Sequence, residues 1–206
     1  MIRVKIMEPY PITGVILAGG KNKRMKGKPK AFLTFNNETF LERQLKEMQS
    51  IAKEIFVIAN SDFVYYKQFE SSGIRVFSDE YKEIGPLGGF HKGLLEARES
   101  YIWLLGCDMP FPSAAAVKWM YKKMQQEKVQ AIIPYIYGKY HPLHSLYHVS
   151  CLSIVTQMIN RKERTLTQLT NFTNCSYLTE ETCKKHEIDL KFVTNVNTPE
   201  DYVGLR

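Results

Sequence analysis

The sequence predicts an α/β fold, a single domain built on a mostly parallel twisted sheet with helices on both faces. Two observations carry this: short β-branched and aromatic runs recur along the chain, and amphipathic helix-period segments fall between them. Parallel neighbours need long right-handed connections, and those segments supply them. A length of 206 residues with 44% hydrophobic content suits one compact unit with a substantial core, and no repeat or low-complexity linker divides it.

The first strand is Val15-Ile16-Leu17. A helix follows, because Phe40, Leu41, Leu45, Met48 and Ile51 recur at the spacing of one helix face. Residues 55–58, 75–77, 101–105 and 131–133 are apolar runs that read as further buried strands. Residues 90–97 form a helix opened by the Gly85-Pro86-Leu87-Gly88-Gly89 cluster, and Val117, Met120, Tyr121 and Met124 mark another helix face. From about Ile136 the pattern is less regular and reads as a second lobe packed on the sheet. Thr198 is an N-cap, with Pro199 at the first helical position and Glu200 and Asp201 in the first turn.

The net charge of +7 favours anionic partners without separating nucleotides from nucleic acid or a membrane surface. Cys107, Cys151, Cys175 and Cys183 form no C-x-x-C pair and no disulfide framework, so reduced thiols are expected. No stretch is apolar enough to span a bilayer, and residues 1–10 lack the apolar segment of a signal peptide. The expected compartment is the cytoplasm.

The strongest chemical signal is where the first strand breaks into Ala18-Gly19-Gly20 and then into six Lys and Arg residues between positions 21 and 30. Paired glycines let backbone N–H groups approach an anion closely. The loop has neither G-x-G-x-x-G nor G-x-x-x-x-G-K-[ST] spacing. Alone it leaves open a phosphate loop, a solvated basic surface and a nucleic-acid patch.

Ligands of open parallel sheets bind beyond the carboxyl ends of the strands, which selects residues 18–30, the region around Asn60, Asp79 and residues 106–110. Asp108 ends the 101–105 run in Gly106-Cys107-Asp108-Met109-Pro110 and is the candidate metal ligand, because Mg²⁺ takes one or two protein carboxylates plus substrate phosphates. Asp also starts turns well, the simpler reading of both Asp108 and Asp79 taken singly. The Gly85–Gly89 helix start would offer N–H groups to a nucleotide, and taken singly it reads as a simple turn and helix start.

Taken together and in order, Leu17-Ala18-Gly19-Gly20, Arg24-Met25, Gly27-x-x-Lys30, Asp79, Gly85-Pro86-Leu87-Gly88-Gly89, Cys107-Asp108-Met109-Pro110 and Asn195-Val196-Asn197-Thr198-Pro199-Glu200 resemble the bacterial molybdenum cofactor guanylyltransferases. The resemblance runs from about residue 13 to 202. Its first half is shared with nucleotidyltransferases that make nucleotide-diphosphate sugars, and the C-terminal asparagine motif directs it to the molybdopterin family. It implies a Rossmann-like nucleotidyltransferase fold with a nucleotide-binding half at about 13–110 and an acceptor half at about 111–206.

The resemblance further implies a GTP site built from Leu17, Ala18, Gly19 and Gly20, with Lys30 on the phosphates, Asp79 and Gly88 on the nucleotide and Asp108 holding Mg²⁺. Lys30, Arg24 and Asp108 would carry the chemistry, and Asn195, Asn197 and His141 would face the acceptor. The reaction would move GMP from GTP to the terminal phosphate of molybdopterin and release pyrophosphate. Molybdoenzyme chaperones or cofactor-biosynthesis proteins would be docking partners, with no nucleic acid or membrane involved. Pro29 stands where the family's common loop has Asp before the lysine.

A phosphate monoester has a second pKa of ~6, so the attacking oxygen is already largely ionised and needs no dedicated base. His141, His144 and His148 lie close in sequence but lack the Cys or Glu partners of a familiar zinc motif, and a zinc site is rejected. A transferase using CTP or a sugar phosphate, and a non-catalytic nucleotide-binding module, remain the alternatives.

Overall fold

The computed structural model describes residues 9–19, 29–59, 63–79, 81 and 84–205. In chain order these form β1 (Tyr10–Leu17), β2 (Thr34–Phe35), β3 (Glu38–Thr39), α1 (Phe40–Gln49), β4 (Ala52–Ala59), α2 (Phe63–Lys67) and β5 (Arg75–Ser78). Next come α3 (Pro86–Glu96), β6 (Tyr101–Gly106), α4 (Ala114–Glu127), β7 (Ala131–Ile136), β8 (Lys139–Tyr140) and β9 (Ser145–His148). The chain ends with α5 (Cys151–Asn160), β10 (Cys175–Thr179), α6 (Glu180–Lys185) and α7 (Pro199–Val203).

One sheet has the order β10-β7-β9-β6-β1-β4-β5, with β8 added on β7. Strand β1 runs parallel to both β4 and β6, β5 is parallel to β4, and β10 is parallel to β7. The antiparallel members are β9, inserted between β6 and β7, and the short β8 on β7. All five expected strands form. The chain after Ile136 does not pack on the sheet as a separate lobe: it returns into the middle of it. That strand is short and carries Ser145 and His148, yet Ser145, Leu146 and Tyr147 are buried by strands on both sides.

Strand alternation divides the core into two clusters. Ile12 and Ile16 of β1 join Leu41, Leu45 and Met48 of α1 and Val117, Met120 and Met124 of α4 on one face. Val15 and Leu17 join Leu87, Phe90 and Leu94 of α3 and Val155 and Met158 of α5 on the other. Burying each leucine or methionine contributes about 1.5–3 kcal/mol. Helix α1 is started by a capping box, in which Thr39 Oγ1 accepts from the Glu42 N–H at 3.1 Å and Glu42 Oε2 accepts from the Thr39 N–H at 2.7 Å. Those bonds hold the Glu42 carboxyl below its usual pKa.

Helix α3 begins at Pro86, earlier than the glycine cluster predicts, so Gly88 and Gly89 lie inside it. They let the helix approach the sheet, since a Cβ on Gly89 would stand 2.9 Å from Leu17 Cδ2. No helix among the described residues is long and apolar enough to cross a membrane.

Two buried polar side chains lock the turn that follows β6. Gln44 of α1 is fully buried, and its Nε2 donates to both the Gly106 and Met109 carbonyls at 2.8 Å. Because both partners are acceptors, the amide nitrogen must face them. His144, also fully buried, accepts the Ser113 N–H at its Nε2 (2.9 Å), beside the Trp103 and Phe192 rings. Ser113 caps α4, so this imidazole ties β9 to the start of that helix. Burial drives its pKa down to about 3.

His144 therefore stays neutral in the fold, while its unfolded counterpart takes up a proton near pH 6.5. The unfolded state binds more protons below that value, so stability falls as pH drops from 6.5 toward 3, by roughly 1 kcal/mol per pH unit. Urea titrations of His144→Gln, whose amide can still accept from Ser113, should show a flatter acid slope than wild type; an equal slope would refute the assignment. Gln44→Leu conserves volume but strips the Met109 carbonyl of its donor and Gly106 of one. It should lower the urea-unfolding free energy by about 2 kcal/mol.

Candidate active site

The three parallel strands at the sheet centre end together, and their ladder continues past the last strand residues. Cys107 N–H donates to the Leu17 carbonyl at 3.0 Å and Ala18 N–H to the Ile58 carbonyl at 2.8 Å. The chains leaving β1, β4 and β6 thus start side by side. On the β1 side, Pro29 sits at φ −58° before a 3₁₀ turn, Lys30–Phe32, which is anchored by the fully buried Ala31. An extended proline before that turn leaves Lys30 in place.

Lys30 Nζ lies 3.4 Å from Asp108 Oδ2 and donates to Asn197 Oδ1 at 3.0 Å. Both ion-pair side chains are one-fifth exposed, so the contact sits at the mouth of the site. Three residues selected in sequence from separate segments meet at one ammonium. The C-terminal segment is pinned beneath them: the Val196 N–H donates to the Asp108 carbonyl at 2.8 Å, and Val196 is fully buried. Asp201 Oδ2 accepts the N–H groups of Asn197 and Thr198 at 2.8 Å each, which lowers the Asp201 pKa and closes the cap of α7.

Gly106 shapes the turn that carries Asp108, since a Cβ there would stand 2.7 Å from Asp108 Oδ1. Burial, reinforced by the Asp108 carboxylate, pushes the Cys107 thiol up to about 12, so it is no nucleophile at neutral pH. Among the described residues no three His, Cys, Asp or Glu side chains converge on one point. A hard cation held by one carboxylate and by substrate phosphates fits Asp108, whereas an all-protein cage has no donors here.

Asp79 follows β5, is 3% exposed and accepts the Tyr81 N–H at 2.8 Å. A Cβ on Gly88 would stand 2.9 Å from its Oδ1, so Asp79 and the first turn of α3 share one corner of the sheet end. Leu17 and Ala18 are buried and Gly19 is exposed. Asn195 is exposed beside Asn197. His141 is half-buried, with Nε2 3.2 Å from the Ile136 carbonyl; burial lowers its pKa, so it offers no standing positive charge at pH 7. Gly20, Arg24 and Asn60, with Lys21, Lys23, Lys26 and Lys28, lie outside the described residues.

Sequence reading missed the supports. Gln44 sits on the apolar stripe of α1 and looks like a tolerated polar residue until the turn is in view. Arg43 donates from Nε to the Pro110 carbonyl at 3.0 Å, pairs with Glu38 at 3.2 Å and lies over the Phe35 ring at 5.3 Å, bracing the far side of that turn. The Asp201 cap was legible, but not its second bond to Asn197.

Residues 14–175 match the family model of the MobA-like NTP transferase domain. A probable molybdenum cofactor guanylyltransferase of Clostridium perfringens (strain 13 / Type A) is 32% identical over 197 residues, covering 94% of this chain and 95% of that protein. Among solved structures, molybdopterin-guanine dinucleotide biosynthesis protein A from Archaeoglobus fulgidus superposes with a TM-score of 0.78 at 21% identity, over 94% of this chain and 96% of that one. The Rv0371C complex with manganese from Mycobacterium tuberculosis H37Rv gives 0.66 at 15% identity, over 94% and 97%. The chain belongs to the MobA-like NTP transferase family and is a nucleotidyltransferase of its molybdenum cofactor guanylyltransferase group.

Proposed function

We propose that this nucleotidyltransferase moves GMP from GTP to the terminal phosphate of molybdopterin, forming the guanine dinucleotide cofactor and pyrophosphate, with Mg²⁺ held by Asp108. The observation that carries the proposal is the convergence of Lys30, Asp108 and Asn197, which gathers one residue from each segment expected to meet the triphosphate, the cation and the acceptor. Support comes also from relatives whose names state this activity.

In this reading the nucleotide lies over the ends of β1 and β4, against Leu17, Ala18, Gly19, Asp79 and Gly88, and Gly20 and Arg24 keep the nucleotide-binding and catalytic roles that the sequence motif implies. Asn195, Asn197 and His141 face the acceptor. An oxygen of the acceptor phosphate attacks the α-phosphorus of GTP, the bond from that phosphorus to the bridging oxygen breaks, and pyrophosphate leaves with the electron pair. No general base is needed, since the attacking group is already ionised. The residues must bring two polyanions together: Lys30 offsets their charge, and Asn197 fixes the ammonium at the cleft mouth. A divalent cation on Asp108 would supply Lewis-acid polarisation of the phosphoryl oxygens. The enzyme would act in the cytoplasm and dock with molybdoenzyme chaperones or cofactor-biosynthesis proteins.

Incubating the purified chain with molybdopterin, Mg²⁺ and either GTP or CTP, then weighing the product by mass spectrometry, should yield the GMP adduct. A CMP adduct or none would overturn the substrate assignment. Asp108→Ala should reduce pyrophosphate release at least 10³-fold with the urea midpoint unchanged, because the main-chain bonds of residue 108 remain. Lys30→Ala should cost about 10²-fold in kcat/KM for GTP, on the scale of one lost charge contact to a developing oxyanion. Kinetics unchanged across GTP concentrations would remove Lys30 from the phosphates.

A further inference from the structure

A basic groove of about 640 Å³ runs between α4 and α6, on the sheet face that carries α1. Helix α4 begins six residues after Asp108, and the chain leaving α6 passes through the 3₁₀ turn Leu190–Val193 before it reaches Asn195 and Asn197. Lys118, Lys122, Lys123, Lys185 and His186 line the groove, and no acidic residue does. Lys123 pairs with Glu127 at 2.6 Å, whereas Lys118, Lys122 and Lys185 form no ion pair among the described residues. Trp119 lies half-buried along the wall with its ring 6.0 Å from that of His186, so the cationic rim borders an apolar surface.

We infer that this groove docks an acidic amphipathic segment of a protein partner, with its carboxylates on Lys118, Lys122 and Lys185 and an apolar side chain on Trp119. Charge complementarity selects the sign of the occupant, and the lysine stems with the indole select an amphipathic one. Nucleic acid fits less well, because binding to a phosphate backbone is driven by many cationic contacts, whereas here three lysines without an ion pair among the described residues flank an indole. The inference goes beyond the transferase reading and does not depend on it.

Trp119 supplies the readout, since Trp103, the second tryptophan, is fully buried. Titrating the full-length protein with a synthetic Glu/Leu amphipathic peptide of about twelve residues should shift Trp119 emission at micromolar concentrations. Affinity should weaken several-fold as salt rises from 50 to 200 mM. The triple variant Lys118→Glu, Lys122→Glu, Lys185→Glu should bind at least tenfold more weakly, and the milder Lys→Gln triple should do the same if charge reversal disturbs folding. Both should transfer GMP to free molybdopterin at the wild-type rate. Unchanged emission up to millimolar peptide, equal affinity in both triple variants, or equally tight binding of inorganic polyphosphate or a DNA oligonucleotide would overturn the inference. Failure of GMP transfer by wild type would overturn the substrate assignment and leave the peptide titration standing.

Discussion

The structure depends on β1 lying in register between two parallel neighbours. Leu17 pairs with Ile58 on one side and with Gly106 on the other, so the strands that precede the basic loop, residue 60 and Asp108 all stop at one level. Two main-chain hydrogen bonds beyond the strand ends then fix where the outgoing loops begin. The placement of Asp108 is a consequence of sheet register: a one-residue slip of β6 would move it by one strand rise, about 3.3 Å, and turn alternate side chains to the opposite face.

Register alone leaves the turn after β6 free to rotate, and its orientation comes from α1. Gln44 ties both ends of the turn to the helix, Arg43 holds the Pro110 carbonyl, and the capping box at Thr39 and Glu42 fixes the start of that helix. The same helix buries Leu41, Leu45 and Met48 against the sheet. Core packing is thereby converted into placement of one carboxylate, and among the described residues the side chain paired with Asp108 is that of Lys30.

The sheet interior was legible because parallel strands buried on both faces are continuous apolar runs, as in residues 55–58 and 101–105. Strand β9 was not, since Ser145 and His148 break that pattern and burial comes from neighbours distant in sequence. Asp108, Lys30 and Asn197 were legible through the ordered motifs that carry the family resemblance: a turn explains Asp108 taken singly and a solvated basic surface explains Lys30, while capping of the last helix leaves Asn195 and Asn197 unexplained. Gln44 and Arg43 were not, because their partners are main-chain carbonyls, which every residue carries and which no sequence pattern marks. Gly88 and Gly89 carried two meanings: in sequence they suggest a helix start that offers N–H groups to a nucleotide, while in the fold they thin the contact of α3 with Leu17 and Asp79.

The charge distribution follows the same division. Lys30 stands between a formal carboxylate and a neutral amide, so it keeps part of its field for an incoming anion. A second carboxylate in place of Asn197 would leave the cluster net negative and, in the proposed reading, repel the substrate phosphates. Asn197 can hold the ammonium without competing for charge only because its own backbone is held elsewhere, by Asp201 through the cap of α7. The Asp201 carboxylate meets those N–H groups at the start of α7, where the helix dipole favours negative charge. The C-terminal motif thus places one negative charge where a helix needs it and a neutral oxygen where the lysine needs it.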